Sequence, residues 1–421
     1  MPASREVVVT GLGVVAPVGI GRDALWSALD AGRSGVDWLP EFAAADLPFR
    51  FGGRIRDFDA KQYVQPRKTI KVMCLEIQAG YAAAMLAMQD AGLAKGSVDP
   101  ERLGVALGSE MFYGEVEEVR EVFSHCNDNG QFDYDRWGLQ AFKDLFPLWM
   151  LKYLPNMAAC HISIACDARG PNNSIVQGGA SSLLAIIEAL LVIQRGHADV
   201  MIAGGSGSCV TTSCLPFRGW DHLSKWTGEP AQASRPFDAR RSGVVPGEGA
   251  GAFVLETRQH AERRGAPILA RLSGFARCFE PAVRGQPLAG TAIRQSIQGA
   301  LVSAGMEPTD IGHVNAHGLG SIHHDAAEAR AIRDLLGEIP VTAPKSYFGD
   351  LGAGSGAVEM GASVLGFVHG RVPATLNYQT PDPACPVNVI NGASPAVDKP
   401  AAIILNQSTT GQAAAIVIAV A

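Results

Sequence analysis

The stretch SRPFDARRSGVVPGEGAGAFVLE, Ser234–Glu256, decides how the rest of the chain divides. Its second half, Gly249–Glu256, is small and apolar, which reads as a strand buried on both faces. Beyond it the alternation of strands and helices begins again. Ile268–Phe275 reads as a strand, Gly290–Ala304 as a helix and His313–Ala316 as a strand. Ala326–Leu336 and Ser355–His369 read as helices, Ala401–Asn406 and Ala413–Val420 as the closing strands.

Upstream a similar series runs. Arg5–Gly13 reads as a buried strand ending in a glycine turn, and Asp23–Ala31 as a short amphipathic helix. Thr69–Ala91 reads as one long helix stopped by Gly92. Leu103–Gly108 and Ala198–Gly204 read as strands, with the apolar helix Ala180–Arg195 between them, and His161–Cys166 as a further strand. Two β/α sets of similar length predict an internally duplicated body, with halves at 1–257 and 258–421. Residues 109–158 differ: Tyr113, Phe123, Phe132, Tyr134, Trp137, Phe142, Phe146, Trp149 and Tyr153 are interspersed with charge. That mixture fits a cap or partner surface better than sheet core.

Composition narrows the function. The 421 residues are 47% hydrophobic and 18% charged, with 48 glycines, which suits a large buried α/β core with many tight turns. A net charge of −6 gives no basic field for nucleic acid. No apolar run is long enough for a membrane span. Met1 to Val9 opens directly on a strand-like run without a secretory leader, so a cytoplasmic protein is expected. The eight cysteines, Cys74, Cys126, Cys160, Cys166, Cys209, Cys214, Cys278 and Cys385, form no C-x-x-C pair and no zinc spacing, so no metal site is expected.

Four segments in order carry a resemblance. They are VVVTGLGVVAPVG (Val7–Gly19), the Ser234–Glu256 stretch, VNAHGLGSIHHDAAEA (Val314–Ala329) and TAPKSYFGDLGAGSGAVE (Thr342–Glu359). Together they resemble the β-ketoacyl-acyl-carrier-protein synthases of the thiolase superfamily over nearly the whole chain. The resemblance implies a thiolase-like fold of duplicated βαβαβαββ halves. Five layers, α-β-α-β-α, would contain two mixed sheets. It also implies a dimer, and the strand Ala198–Gly204 is expected to be the apolar edge that pairs across the two-fold axis.

The family's chemistry uses a cysteine thiolate at a helix N-terminus, two backbone N–H groups as an oxyanion hole, two histidines, a lysine and a glutamate. Carried over from Gly170–Ser174, the nucleophile position falls on Gly179 in SIVQGGASSL. The first histidine is His317, the lysine Lys345 and the glutamate Glu359, while Asp350 stands at the second histidine position. The loop before the last strand reads Asn406-Gln407-Ser408-Thr409-Thr410-Gly411-Gln412, without the family's phenylalanine and most of its glycines. Gly179, Ser408, Thr409 and Thr410 are thus the expected substrate-binding positions. These changes resemble the chain-length-factor branch, although that branch often has glutamine at the nucleophile position; here Gln177 lies two residues earlier.

Each residue has a plain structural reading as well. His317 can be an inherited structural histidine, Asp350 a loop carboxylate, and Lys345–Glu359 a buried ion pair. Asp350 facing His317 would raise the imidazole pKa. Ser181 follows Gly179 without the strand-elbow spacing of a serine nucleophile. Cys166 is off the nucleophile position, and His323 and His324 read as solvated loop residues.

Three functions are compatible with this. The first is a non-condensing, chain-length-factor-like partner of an active ketosynthase that engages acyl-carrier protein. The second is an enzyme using His317, Asp350 and Lys345 as acid and base on an acyl group linked through phosphopantetheine to carrier protein or CoA, without an acyl-enzyme. The third is an acyl-binding structural homodimer. No bound cofactor is expected in any of them.

Overall fold

The computed structural model describes residues 5–44, 47–111, 113–283 and 286–421; Met1 to Ser4 of the opening run lie outside them. The principal strands are β1 (Val7–Ala16), β2 (Leu103–Gly108), β3 (Asn172–Ile175), β4 (Val200–Ser208), β5 (Glu248–Thr257), β6 (Ala270–Phe279), β7 (Ile311–Asn315), β8 (Pro340–Thr342), β9 (Asn388–Val389), β10 (Ala401–Gln407) and β11 (Gln412–Ala419). The helices that matter below are α1 (Arg22–Asp30), α2 (Leu75–Asp90), α3 (Val116–His125), α4 (Tyr134–Asp144), α5 (Met157–Cys166), α6 (Ser181–Gln194), α7 (Cys214–Arg218), α8 (Thr291–Ala304), α9 (Ile322–Leu336) and α10 (Ser355–His369).

Strand alternation builds the layers. In β5, Phe253 and Leu255 point to one core while Ala252 and Val254 point to another. In β10, Ala402 and Ile404 share the core of Phe253, whereas Ile403 and Leu405 face a third. A period of two thus gives each strand two buried faces. The shared core is filled by α6 and α10 between the two sets of strands. Helices α2 and α5 cover the outer face of the first set, and α8 and α9 that of the second. The result is five layers.

The strands form one path, β9-β8-β7-β10-β11-β6-β1-β5-β4-β2-β3, in a twelve-stranded sheet that also includes the short Gly19–Ile20 strand. Two mixed sheets were expected. They are joined because Val7–Val9 of β1 pair antiparallel with Leu272–Ala270 of β6. Glycines in β1 allow α2 to lie directly on the strand: a Cβ at Gly11 would be 2.2 Å from the Ala87 carbonyl oxygen, and one at Gly13 2.0 Å from that of Ala83.

Three local expectations are corrected. His161–Cys166 belongs to helix α5, where Ala158, Ala159, Ile162 and Cys166 are buried at helical spacing against α2. Thr69–Ala91 is two pieces: a 3-10 turn at Arg67–Val72, then α2. The break is tertiary, since Cys74 N–H donates to the Lys152 carbonyl at 3.0 Å and the Gln78 amide to the Met73 carbonyl at 2.7 Å. Ala198–Gly204 falls largely in β4, which is interior, paired with β5 on one side and β2 on the other. The edge on that side is β3, which pairs with β2.

The described residues of 109–158 stand outside the large sheet. Helices α3 and α4 are linked by a small hairpin, Asn127–Asp128 with Gln131–Phe132, and pack on each other through Phe123, Phe132 and Trp137. Tyr134, Leu139 and Phe142 remain exposed.

Candidate active site

The site forms where both sets of strands end near the central helices. A 3-10 turn, Gly178–Ala180, leads into α6, and a second, Gly352–Gly354, leads into α10; the two turns pack together. Gly179 faces the histidine: a Cβ there would be 3.2 Å from His317 Cε1 and 3.1 Å from the Gln407 carbonyl oxygen.

His317 sits on the loop after β7 and is 4% exposed. Its backbone N–H and that of Gly318 donate to the two carboxylate oxygens of Glu328 at 2.7 and 2.9 Å. Lys345 Nζ lies 3.1 Å from His317 Nδ1 and also binds Glu359, whose other oxygen accepts from the Asn406 amide at 2.6 Å. An ammonium has only protons to give, so Nδ1 is the acceptor and the imidazole proton belongs on Nε2. Burial, then the Lys345 charge and His324, hold the His317 pKa well below the ordinary histidine range. The group is a neutral imidazole presenting an N–H donor. Glu359 is pushed upward by burial against the pull of Lys345. Burial likewise drives Glu328 up to about 8.

Asp350 does not perform the role expected of it. Its carboxylate takes the Arg218 guanidinium at 3.3 Å, the Ser355 hydroxyl at 3.0 Å and the Gly352 N–H at 3.3 Å. Nor is the His317 pKa raised: burial first, and then Lys345 and His324, lower it. Arg218 reaches Asp350 from α7 while binding both oxygens of Glu110 at 2.9 and 3.0 Å. Sequence reading missed Glu328, Glu110 and Arg218. Glu328 had a local signal, lying three residues after Asp325 at the start of α9 and so on the same helix face. Glu110 and Arg218 are 108 residues apart and had none.

The other candidates are placed by local contacts. Ser181 Oγ donates to the Gly178 carbonyl and accepts from Gln177 N–H, closing the turn, and Ser182 Oγ accepts from Ala357 N–H. Cys166 faces the α2 core, and burial lifts its pKa to about 11. His323 and His324 are not in a loop but in the first turn of α9, where the Ser321 hydroxyl caps the His324 N–H; His323 is exposed and His324 half-buried. Among the described residues, no group of three or more His, Cys, Asp or Glu converges as a metal site would. Gln407–Gln412 makes a tight turn between β10 and β11. There Ser408 N–H donates to the Gln412 carbonyl at 2.7 Å, and Thr410 N–H to Ser408 Oγ at 3.2 Å. Ser408 is buried beside Gly178, and Thr409 and Thr410 are exposed.

The Ser234–Glu256 stretch holds these loops together. Ser234 Oγ donates to the Lys345 carbonyl at 2.7 Å, and Phe237 N–H to Asp325 at 3.0 Å. Asp350 N–H donates to the Val245 carbonyl, and Gly247 N–H to the Asp350 carbonyl.

Residues 4–261 match the family description "Beta-ketoacyl synthase, N-terminal domain", and residues 270–379 match "Beta-ketoacyl synthase, C-terminal domain". The chain belongs to the β-ketoacyl synthase family. Among its relatives, 3-oxoacyl-[acyl-carrier-protein] synthase 2 of Synechocystis is 33% identical over 93% of this chain and 92% of the relative. Granaticin polyketide putative β-ketoacyl synthase 1 of Streptomyces violaceoruber is 35% identical over 92% of this chain and 91% of the relative. A β-ketoacyl synthase structure from Burkholderia phymatum superposes with a TM-score of 0.88 at 30% identity, covering 99% of this chain and 100% of that one. The ishigamide ketosynthase/chain length factor superposes at 0.86 with 25% identity, each chain covered in full. A chain from the structure of a type II polyketide acyl-carrier protein in complex with its ketosynthase bound to the hexaketide superposes at 0.85 with 29% identity, covering 99% of this chain and 100% of that one. This β-ketoacyl synthase homologue therefore has the thiolase-like fold and sets His317, joined through Lys345 to Glu359, against a glycine.

Proposed function

We propose that this chain is a non-condensing, chain-length-factor-like partner of an active β-ketoacyl synthase, working in the cytoplasm on acyl groups carried by acyl-carrier protein. The observation that carries the reading is Gly179. The residue facing His317 at the head of α6 has no side chain, so it offers no thiol to take an acyl group. Two further features support it. Asp350 is engaged by Arg218 and Ser355, and the Thr410 N–H is engaged by Ser408 Oγ. The likeness to a ketosynthase/chain length factor and to a ketosynthase bound to its carrier protein supplies the partner classes.

The docking edge in this reading is β3. Its outward side carries no strand partner among the described residues. Ile164 of the adjacent α5 is 71% exposed and Val176, just past β3, is 39% exposed. An open edge flanked by apolar side chains needs cover, and an obligate partner would bury roughly 2,000 Å² or more in total.

The test is co-expression with cysteine-bearing ketosynthases, followed by native mass measurement of the complex and analysis of carrier-bound products. A mixed dimer whose product length changes with this chain supports the reading. Condensation of acyl and malonyl groups by this chain alone would overturn it.

A further inference from the structure

Helix α4 has two unlike faces. Trp137 turns inward, against Phe123 and Phe132 of the cap. The opposite stripe, Asp135, Gly138, Leu139, Phe142 and Lys143, keeps helical spacing and is exposed along its length. Leu139 is 60% exposed and Phe142 88%. Two large apolar side chains next to each other in water mark a contact surface rather than a solvated face.

Two details of the stripe point to what covers it. The first is Gly138. Glycine is a poor residue for a helix interior, and a Cβ there would meet nothing within 4 Å. Nothing inside the chain calls for it, whereas a second helix approaching closely does. The second detail is charge. Arg136 is taken by Asp128 at 2.7 Å and Asp133 at 2.9 Å, and Asp144 by His125 at 2.8 Å. Asp135 and Lys143 have no ion partner among the described residues. They stand one turn before and one turn after Leu139, in one row along the helix. The stripe therefore reads negative, apolar, positive. Laid antiparallel on a copy of itself, with a two-fold axis at Leu139, it sets Asp135 of each chain against Lys143 of the other. A parallel copy would set like charges together. Phe142 of each antiparallel copy meets the Asp135–Gly138 turn of the other, where the missing side chain leaves room.

We propose that the outward face of α4 is an isologous interface between two copies of this chain, with the helices antiparallel across Leu139 and an Asp135–Lys143 pair at each end. The face belongs to the cap, outside the large sheet, and is a surface other than the β3 edge. The inference is independent of whether the chain pairs with a synthase, because its test uses this chain alone.

Sedimentation of the full chain at concentrations up to about 100 μM, where a micromolar contact is occupied, reads the step as a doubling of mass. D135K and K143D each place like charges opposite one another at both ends of the interface, and each should weaken the step by about tenfold or more. Both positions are exposed, so the variants should keep the circular dichroism and melting temperature of the wild type. Mixed in equal amounts, the two variants complement each other at both ends and should associate as the wild type does. L139C should cross-link to its own copy on mild oxidation, giving a peptide joined through the two introduced thiols. A wild type that never doubles, or charge variants that associate as it does, overturns the proposal. So does an L139C dimer that fails to cross-link, or a mixture no better than its components, which would give the face to a different protein.

Discussion

Lys345 Nζ stands 3.1 Å from His317 Nδ1, in a site where both side chains are almost fully buried. The ammonium fixes the imidazole as a neutral Nε2–H donor. It also repels a second proton, so His317 is poorly suited to act as a base that becomes charged. Folded His317 binds protons less readily than unfolded His317. Its contribution is therefore full at neutral pH and is lost as pH falls below about 6.5, the unfolded histidine value.

The Lys345–Glu359 pair is predicted to be costly to break and cheap to replace. Lys345→Met alone leaves Glu359 buried without its cation and should destabilise the fold by about 3–5 kcal/mol. Lys345→Met with Glu359→Gln should recover most of that loss. Denaturant unfolding of the two singles and the double measures the coupling, and additive effects would show that the pair is not a unit.

Glu328 predicts a loss of stability on the alkaline side. Its folded pKa is raised to about 8, so the folded state holds the proton more tightly than the unfolded state. Its favourable contribution is complete below the unfolded glutamate value, about 4.3, and is lost as pH rises through 8. Glu328→Gln should flatten the melting temperature between pH 5 and 8, within about that window. An unchanged slope would place the titration elsewhere, for example at Glu76, which is also raised to about 8.

Asp350→Asn should not move the titration of His317. Asp350 is not among the charges that act on that imidazole, and its own carboxylate binds Arg218. The expected cost is a stability loss of roughly 1–3 kcal/mol from the weakened charge-assisted bonds. NMR titration of the His317 ring checks this directly, and a downward shift of a full unit in the variant would restore Asp350 as its partner.

Ile164→Asp should disrupt association without disturbing the fold. The side chain is 71% exposed beside the β3 edge, so stability should change by less than about 0.5 kcal/mol. A tenfold or greater weakening of assembly is expected, because the substitution buries a charge in the interface. Sedimentation of the wild type and the variant at matched concentrations measures it; equal association would move the interface off this edge.

The architecture was legible because much of it is local. Leu103–Gly108 and Ser355–His369 were read with the bounds they have. Runs such as Ala401–Gln407 declare themselves by being buried on both faces. Positions 179, 317, 345 and 359 were carried over from the resemblance of their motifs to the family's, which a sequence holds in order. What the sequence could not supply was direction. Asp350 is five residues from Lys345, yet its carboxylate belongs to Arg218, 132 residues away. The helix at His161–Cys166 looks like a strand until α2 is laid against it. The edge of the sheet is β3 rather than β4, because position in a sheet depends on what pairs on each side. Backbone preference and hydrophobic period act between neighbours and are written in order along the chain. Charge pairing, burial and strand order act between segments that only folding brings into contact, and those interactions decide what Asp350 and Arg218 bind.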